Sequence, residues 1–139
     1  MSYDSVKKIT NKKTKAIIVV HLYGNSPDLK KIIIFCKKRN IAVIEDCAEA
    51  FGTKYNNTHV GNFGDFGTFS FFGNKTISTG EGGMIIFKNK KKYELAKKLR
   101  DHGMDQKKKY WHDEVGFNFR LTNMQAAIGC AQLENAKLF

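Results

Sequence analysis

The chain has 139 residues, 42% of them hydrophobic and 27% charged, which suits one packed domain and excludes global disorder. It carries a formal charge of +11, and most of its 24 Lys and Arg lie in runs, notably Lys30–Arg39, Lys88–Arg100 and Lys107–Lys109. No apolar run approaches the ~20 residues of a membrane span, and Met1-Ser2-Tyr3-Asp4 lacks the basic-then-apolar pattern of a signal peptide. The expectation is a cytoplasmic protein with no membrane partner. Cys36, Cys47 and Cys130 are an odd set without C-x-x-C spacing, and the four histidines lack ligand spacing. This argues against a disulfide framework and against a metal site. The first two basic runs read as solvated helix faces. With no RNA-reading aromatic motif and no helix-turn-helix pattern, the charge argues against a nucleic-acid partner; an anionic substrate accounts for it equally well.

Residues 1–14 are polar and without period, and read as a leader or frayed segment. Ala16–Val20 is a β-branched run suited to a buried parallel strand. Ser26-Pro27-Asp28 reads as a helix start with Ser26 as N-cap, and the helix should run to about Arg39 with Leu29, Ile32, Ile33 and Cys36 inward. Asn40 supplies a left-handed stop. Ile41–Ile44 is a second buried strand, completing a βαβ unit that ends in Glu45-Asp46. Cys47–Phe51 is expected as a short helix and Thr53–Val60 as a hairpin around Asn56-Asn57. Phe66–Phe71 and Met84–Phe87 are two further strands. A basic helix over Tyr93–Leu99 ends near His102-Gly103, and 104–119 is irregular. Thr122 to Gln125 is a capping box opening a last helix, which should still be running where the sequence stops. The fold class is α/β, a mostly parallel sheet with flanking helices.

Lys75 is unlike the other lysines. It sits in Ser70-Phe71-Phe72-Gly73-Asn74-Lys75-Thr76-Ile77-Ser78-Thr79-Gly80-Glu81-Gly82-Gly83, a small-residue, hydroxyl-rich loop between two apolar strands. Such a place can exclude water, where a lysine amine becomes a nucleophile towards a carbonyl. A lysine merely pointing out of a surface loop is the plainer alternative. The loop lacks the G-x-x-x-x-G-K-[ST] spacing of a phosphate loop, and no G-x-G-x-x-G follows a strand. Asp46 ends one strand 29 residues before Lys75. It reads either as a helix N-cap or as an acid facing a ligand. An acid and an amine at neighbouring strand ends can hold the two sides of pyridoxal 5'-phosphate (PLP), which needs a Schiff-base lysine and an acid at its ring nitrogen.

Several runs carry a resemblance: Val20-His21-Leu22-Tyr23-Gly24, Ile44-Glu45-Asp46-Cys47-Ala48-Glu49-Ala50, Gly64 to Thr76, Thr79 to Met84, Tyr110-Trp111-His112, Gly116 to Asn123, and Gln125 to Gly129. Together they resemble the PLP-dependent sugar aminotransferases of the DegT/DnrJ/EryC1/StrS family, most closely the perosamine synthases, which aminate a nucleotide-linked 4-keto-6-deoxyhexose. The resemblance implies a fold-type I transferase with PLP as cofactor, a nucleotide-sugar substrate, an amino-acid donor such as glutamate, and a homodimer. It implies that Lys75 carries the cofactor and moves the proton, that Asp46 pairs with the ring nitrogen, and that Glu49 stands near the ring's phenolic oxygen. Ser70 would hold the phosphate, and Asn118 would reach the cofactor phosphate of the neighbouring subunit. His21 either lines the pocket or is a packing histidine; Arg120 contacts an anionic substrate or only the interface. Gly80, Gly82 and Gly83 read as backbone devices. The family's sugar dehydratases carry His in place of the lysine, so Lys75 points away from them. The resemblance further implies that residues 15–139 are a partial PLP-binding large domain, with the upstream phosphate loop and the C-terminal small domain outside it. A non-catalytic remnant or subunit piece is the alternative reading.

Overall fold

The computed structural model describes residues 1–105 and 107–138, the side chain of Leu138 excepted. Its frame is a four-stranded sheet in the order β1-β2-β5-β6, built from β1 (Ala16–Val20), β2 (Ala42–Asp46), β5 (Phe66–Ser70) and β6 (Gly83–Phe87). β1 pairs parallel with β2, and β2 parallel with β5; β6 runs antiparallel to β5. The first two strands are joined through helix α2 (Leu29–Lys37), which buries Leu29, Ile32, Phe35 and Cys36. These residues pack with Val19, Ile41 and Val43 in the main core. Apolar side chains at three- and four-residue spacing put one stripe of α2 on the sheet. Asn40, at φ 53, reverses the chain after α2 as expected.

The N-terminal segment is a correction. Residues 3–9 form helix α1 (Tyr3–Ile9) where a segment without period was expected. Ser2 caps it by accepting from the Ser5 N–H, Val6 is buried, and Tyr3 meets Phe35 edge-on at 5.8 Å between ring centroids. Two apolar side chains spaced for one helical face are enough once α2 offers a surface to cover them. Other boundaries shift for local reasons. Asp28, not Ser26, caps α2, its carboxylate accepting from the Lys31 N–H. Cys47–Phe51 is a turn and not a helix. β1 is only partly covered: Ile17 and Val19 face the core, whereas Ile18 and Val20, on the opposite face by strand alternation, are exposed.

The hairpin forms as expected, β3 (Lys54–Tyr55) against β4 (Thr58–His59), with Asn56 and Asn57 both at positive φ. Helix α3 (Lys90–Arg100) is capped by Asn89 and lies against β6. Beyond it the chain folds back through two isolated bridges, Asp101 to Asn118 and Met104 to His112. Helix α4 (Asn123–Glu134) opens on the expected capping box of Thr122 and Gln125. It closes at Glu134 and is followed by a 3-10 turn over Ala136–Leu138; the last residue, on which the expected helical run ends, lies outside the described residues.

Candidate active site

The register decides which residues meet. Val20, Asp46 and Thr68 stand side by side on β1, β2 and β5, so all three parallel strands end at one edge. Open α/β sheets place ligands at this edge, because the chain leaves the sheet there in several directions. β5 ends in Ser70, and the Lys75 loop begins at the same level.

Alternation along β2 splits its two acids. Val43, Glu45 and Cys47 are buried, whereas Asp46 is half-buried on the opposite side. Glu45 is a clamp. Its Oε1 accepts from the Phe63 and Gly64 N–H groups, each at 2.6 Å, and its Oε2 accepts from the Gly61 N–H at 2.8 Å. His21 Nε2 lies 3.1 Å from the same Oε2. Burial pushes the Glu45 carboxyl up. Hydrogen bonds from His21 and from the Gly64, Gly61 and Phe63 backbone outweigh this and hold it below the usual carboxylate range. Gly67 is required beside the clamp, since a Cβ there would stand 2.3 Å from the Gly61 carbonyl oxygen.

His21 is fully buried and does not line the Lys75 cleft, and its Nδ1 has no hydrogen-bond partner among the described residues. The ionised carboxylate at Nε2 makes that nitrogen the donor. His21, Glu45 and Cys47 cluster closely, but the carboxylate is already occupied by four donors. Burial, with the nearby Glu45 and Asp46 charges, pushes the Cys47 thiol up to about 12.

Asp46 sits at the adjacent strand end, its Oδ1 accepting from the Ala48 N–H at 3.0 Å. The helix-cap alternative becomes an Asx turn, because no helix follows. Glu49, Ser70, Asn74 and Lys75 line a cleft of about 220 Å³ together with Tyr23 and Phe69. Lys75 is half-buried, and its N–H bonds the Phe72 carbonyl at 3.0 Å. The loop that carries it is stitched down by Phe71 N–H to the Gly82 carbonyl and Thr79 N–H to the Phe71 carbonyl, each 2.9 Å, and by buried Ile77. Gly82 holds φ 145, which favours glycine, and a Cβ would meet Leu121 and Thr79 at 2.7 Å. Helix α4 buttresses the loop from behind. The Gln132 side chain accepts from the Ser78 N–H at 2.8 Å, and Gln125 Nε2 donates to the Glu81 carbonyl at 3.2 Å.

Asn118 and Arg120 lie outside the Lys75 cleft. Asn118 is exposed, its Oδ1 accepting from Arg120 Nε at 3.4 Å. Arg120 reaches Asp101 at 3.3 Å and lines a second cleft of about 360 Å³ with Arg100 and Phe119.

The model of the DegT/DnrJ/EryC1/StrS aminotransferase family matches residues 1–139. The chain belongs to this family. It is 55% identical over 136 residues to the GDP-perosamine synthase of Escherichia coli O157:H7, a match covering 98% of this chain and 37% of that protein. The chain thus spans about a third of the length of the curated relatives it matches. Among solved structures it superposes on Helicobacter pylori PseC, an aminotransferase involved in pseudaminic acid biosynthesis, with a TM-score of 0.93 at 34% identity. That match covers 98% of this chain and 37% of the other. It also superposes on an E. coli GDP-4-keto-6-deoxy-D-mannose-3-dehydratase solved with hydrated PLP, at a TM-score of 0.89 and 31% identity, over 97% of this chain and 39% of that one. The family and its α/β fold, a mostly parallel sheet with flanking helices, agree with the sequence reading.

Three contributors escaped that reading. Glu45 was visible only as one of two acids at a strand end, although its place on the core-facing alternation marks a buried charge that needs several donors. The prop Gln132 comes from a helix far along the chain and carries no local signal. Tyr23 appeared only inside a motif.

Proposed function

We propose that this chain is the cofactor-bearing part of a cytoplasmic PLP-dependent aminotransferase. It would transfer an amino group from an amino acid, glutamate, to a GDP-linked 4-keto-6-deoxy sugar, and work as a homodimer. The observation that carries the reading is the cleft shared by Lys75, Glu49 and Ser70 at the carboxyl edge of the parallel strands, with Asp46 on the neighbouring strand end. The similarity to a GDP-perosamine synthase supports the sugar and nucleotide.

The donor set suits PLP. Ser70 Oγ accepts from the Phe72 N–H at 3.3 Å and keeps its own O–H to give to a phosphate oxygen. Asp46 uses Oδ1 locally, which leaves Oδ2 for a protonated ring nitrogen. When bound, PLP supplies a ring that accepts electrons from a carbon losing its proton. With PLP in place, Asp46 would keep the proton on the ring nitrogen, Glu49 would stand on the phenolic side, and Ser70 would bind the phosphate. The Lys75 amine takes a proton from the donor's α-carbon and later returns one to the sugar carbon that was the carbonyl. Asn118 and Arg120, outside their own chain's cleft, are assigned to the cofactor phosphate of a second copy and to an anionic substrate group. Residues 15–139 are read as part of a PLP-binding large domain; the exposed apolar side chains of β6 and α4 support this.

Lys75→Ala is expected to abolish both the visible-edge absorbance of the PLP-loaded protein and transamination of the keto sugar; retained turnover would refute the assignment. A purified protein that takes up no PLP would favour a non-catalytic remnant or subunit piece.

A further inference from the structure

We infer that Tyr23 is a specificity-determining residue of the Lys75 cleft, contacting the sugar of the incoming substrate; this rests on the aminotransferase reading above. Tyr23 has φ 49 and ψ 38, and Gly24 after it has φ 75. The Asn25 N–H closes the turn onto the Leu22 carbonyl at 3.0 Å. A turn with positive φ at both central positions selects Asn, Asp or Gly at the first of them, because a Cβ and a bulky side chain are strained there. Tyrosine is a costly choice, and packing does not compensate for it, since Tyr23 is 86% exposed.

What the strain achieves is placement. The turn seats Tyr23 in the lining of the cleft that Ser70, Asn74 and Lys75 also line. Two contacts hold it there. The Tyr23 N–H donates to Glu49 Oε2 at 3.3 Å, and Gly24 lies so close to Thr53 that a Cβ would stand 3.0 Å from its hydroxyl. A residue assigned to the cofactor therefore also latches the turn. Strained residues that bury little and face a site are candidates for recognition. A phenol ring has an apolar face and a polar tip, which match the C–H face and the hydroxyls of a pyranose. A small dicarboxylate donor offers no such face and calls instead for cations. The geometry therefore assigns Tyr23 to the sugar half-reaction.

The test uses the full chain with Tyr23→Asn, which suits the turn, and Tyr23→Phe, which removes only the hydroxyl. Melting temperature, PLP absorbance, equilibrium binding of the GDP-linked sugar, and KM for sugar and for glutamate are read separately. Tyr23→Asn is expected to raise the melting temperature, leave PLP absorbance and the KM for glutamate unchanged, and weaken sugar binding about tenfold. Tyr23→Phe should weaken it about threefold. Unchanged sugar binding in Tyr23→Asn, or equal rises in both KM values, would overturn the inference while leaving the aminotransferase reading intact. Native protein that takes up no PLP and binds no sugar nucleotide would overturn both.

Discussion

The two halves of the molecule are built on different terms. Among the described residues, every buried apolar side chain lies between Val6 and Ile77. This half holds β1, β2, β5, helices α1 and α2, the Glu45 clamp and the Lys75 loop. From Gly83 onward the pattern reverses. On β6, Met84 and Ile85 are each 52% exposed, and α3 and α4 bury none of their described side chains. Met124, Ile128 and Leu133 of α4 all face outward. Yet α4 supplies the two glutamines that prop the lysine loop. The site thus stands on a core owned by the first half and is steadied by polar contacts from the second. Stability and site geometry should therefore respond to different substitutions.

The largest effect is expected at Glu45. Glu45→Gln leaves backbone N–H groups facing an amide that cannot accept from all of them, and should cost about 3–5 kcal/mol in urea unfolding. A loss under 1 kcal/mol would mean that the clamp contributes little. The same carboxylate predicts a pH dependence. Glu45 binds its proton more weakly in the folded chain than in the unfolded one. Its contribution is therefore complete above its ordinary value of 4.5 and is lost as pH falls through the lower folded-state value. In Glu45→Gln that part of the acid limb of the stability profile should flatten.

Next is the direct contrast between halves. Leu29→Ala, in the core under the sheet, should cost about 3 kcal/mol. Ile128→Ala on α4 should change stability by less than about 0.5 kcal/mol. Equal losses would erase the distinction between the halves. The smallest perturbation is chemical labelling. Cys130 is exposed on α4, whereas Cys36 and Cys47 are buried, and burial pushes the Cys47 thiol up to about 12. One thiol should react quickly with a disulfide reagent in native protein, and all three should react after denaturation. Fast native labelling of Cys47 would show the clamp region opening.

Much of this was legible along the chain. β1, β2, β5 and β6 announce themselves as apolar β-branched and aromatic runs, the Asn56-Asn57 hairpin and the Thr122 capping box as local chemistry, and Asn40 as a left-handed stop. These depend on steric and hydrogen-bond preferences within a few residues, so neighbours suffice to specify them. Lys75 and Asp46 could be singled out by residue type and by their places at strand ends, whereas Glu49 and Ser70 were pointed to only by the family resemblance. Tertiary structure decided what depends on distant partners. It made a helix of 3–9, because α2 offered Tyr3 and Val6 a surface. It separated Glu45 from Asp46 by sheet alternation, giving one acid to the core and leaving the other at the strand end. It set His21 in a buried pair with Glu45. It also put Gln132 behind the lysine loop, a hydrogen bond between residues 54 apart that no local pattern encodes.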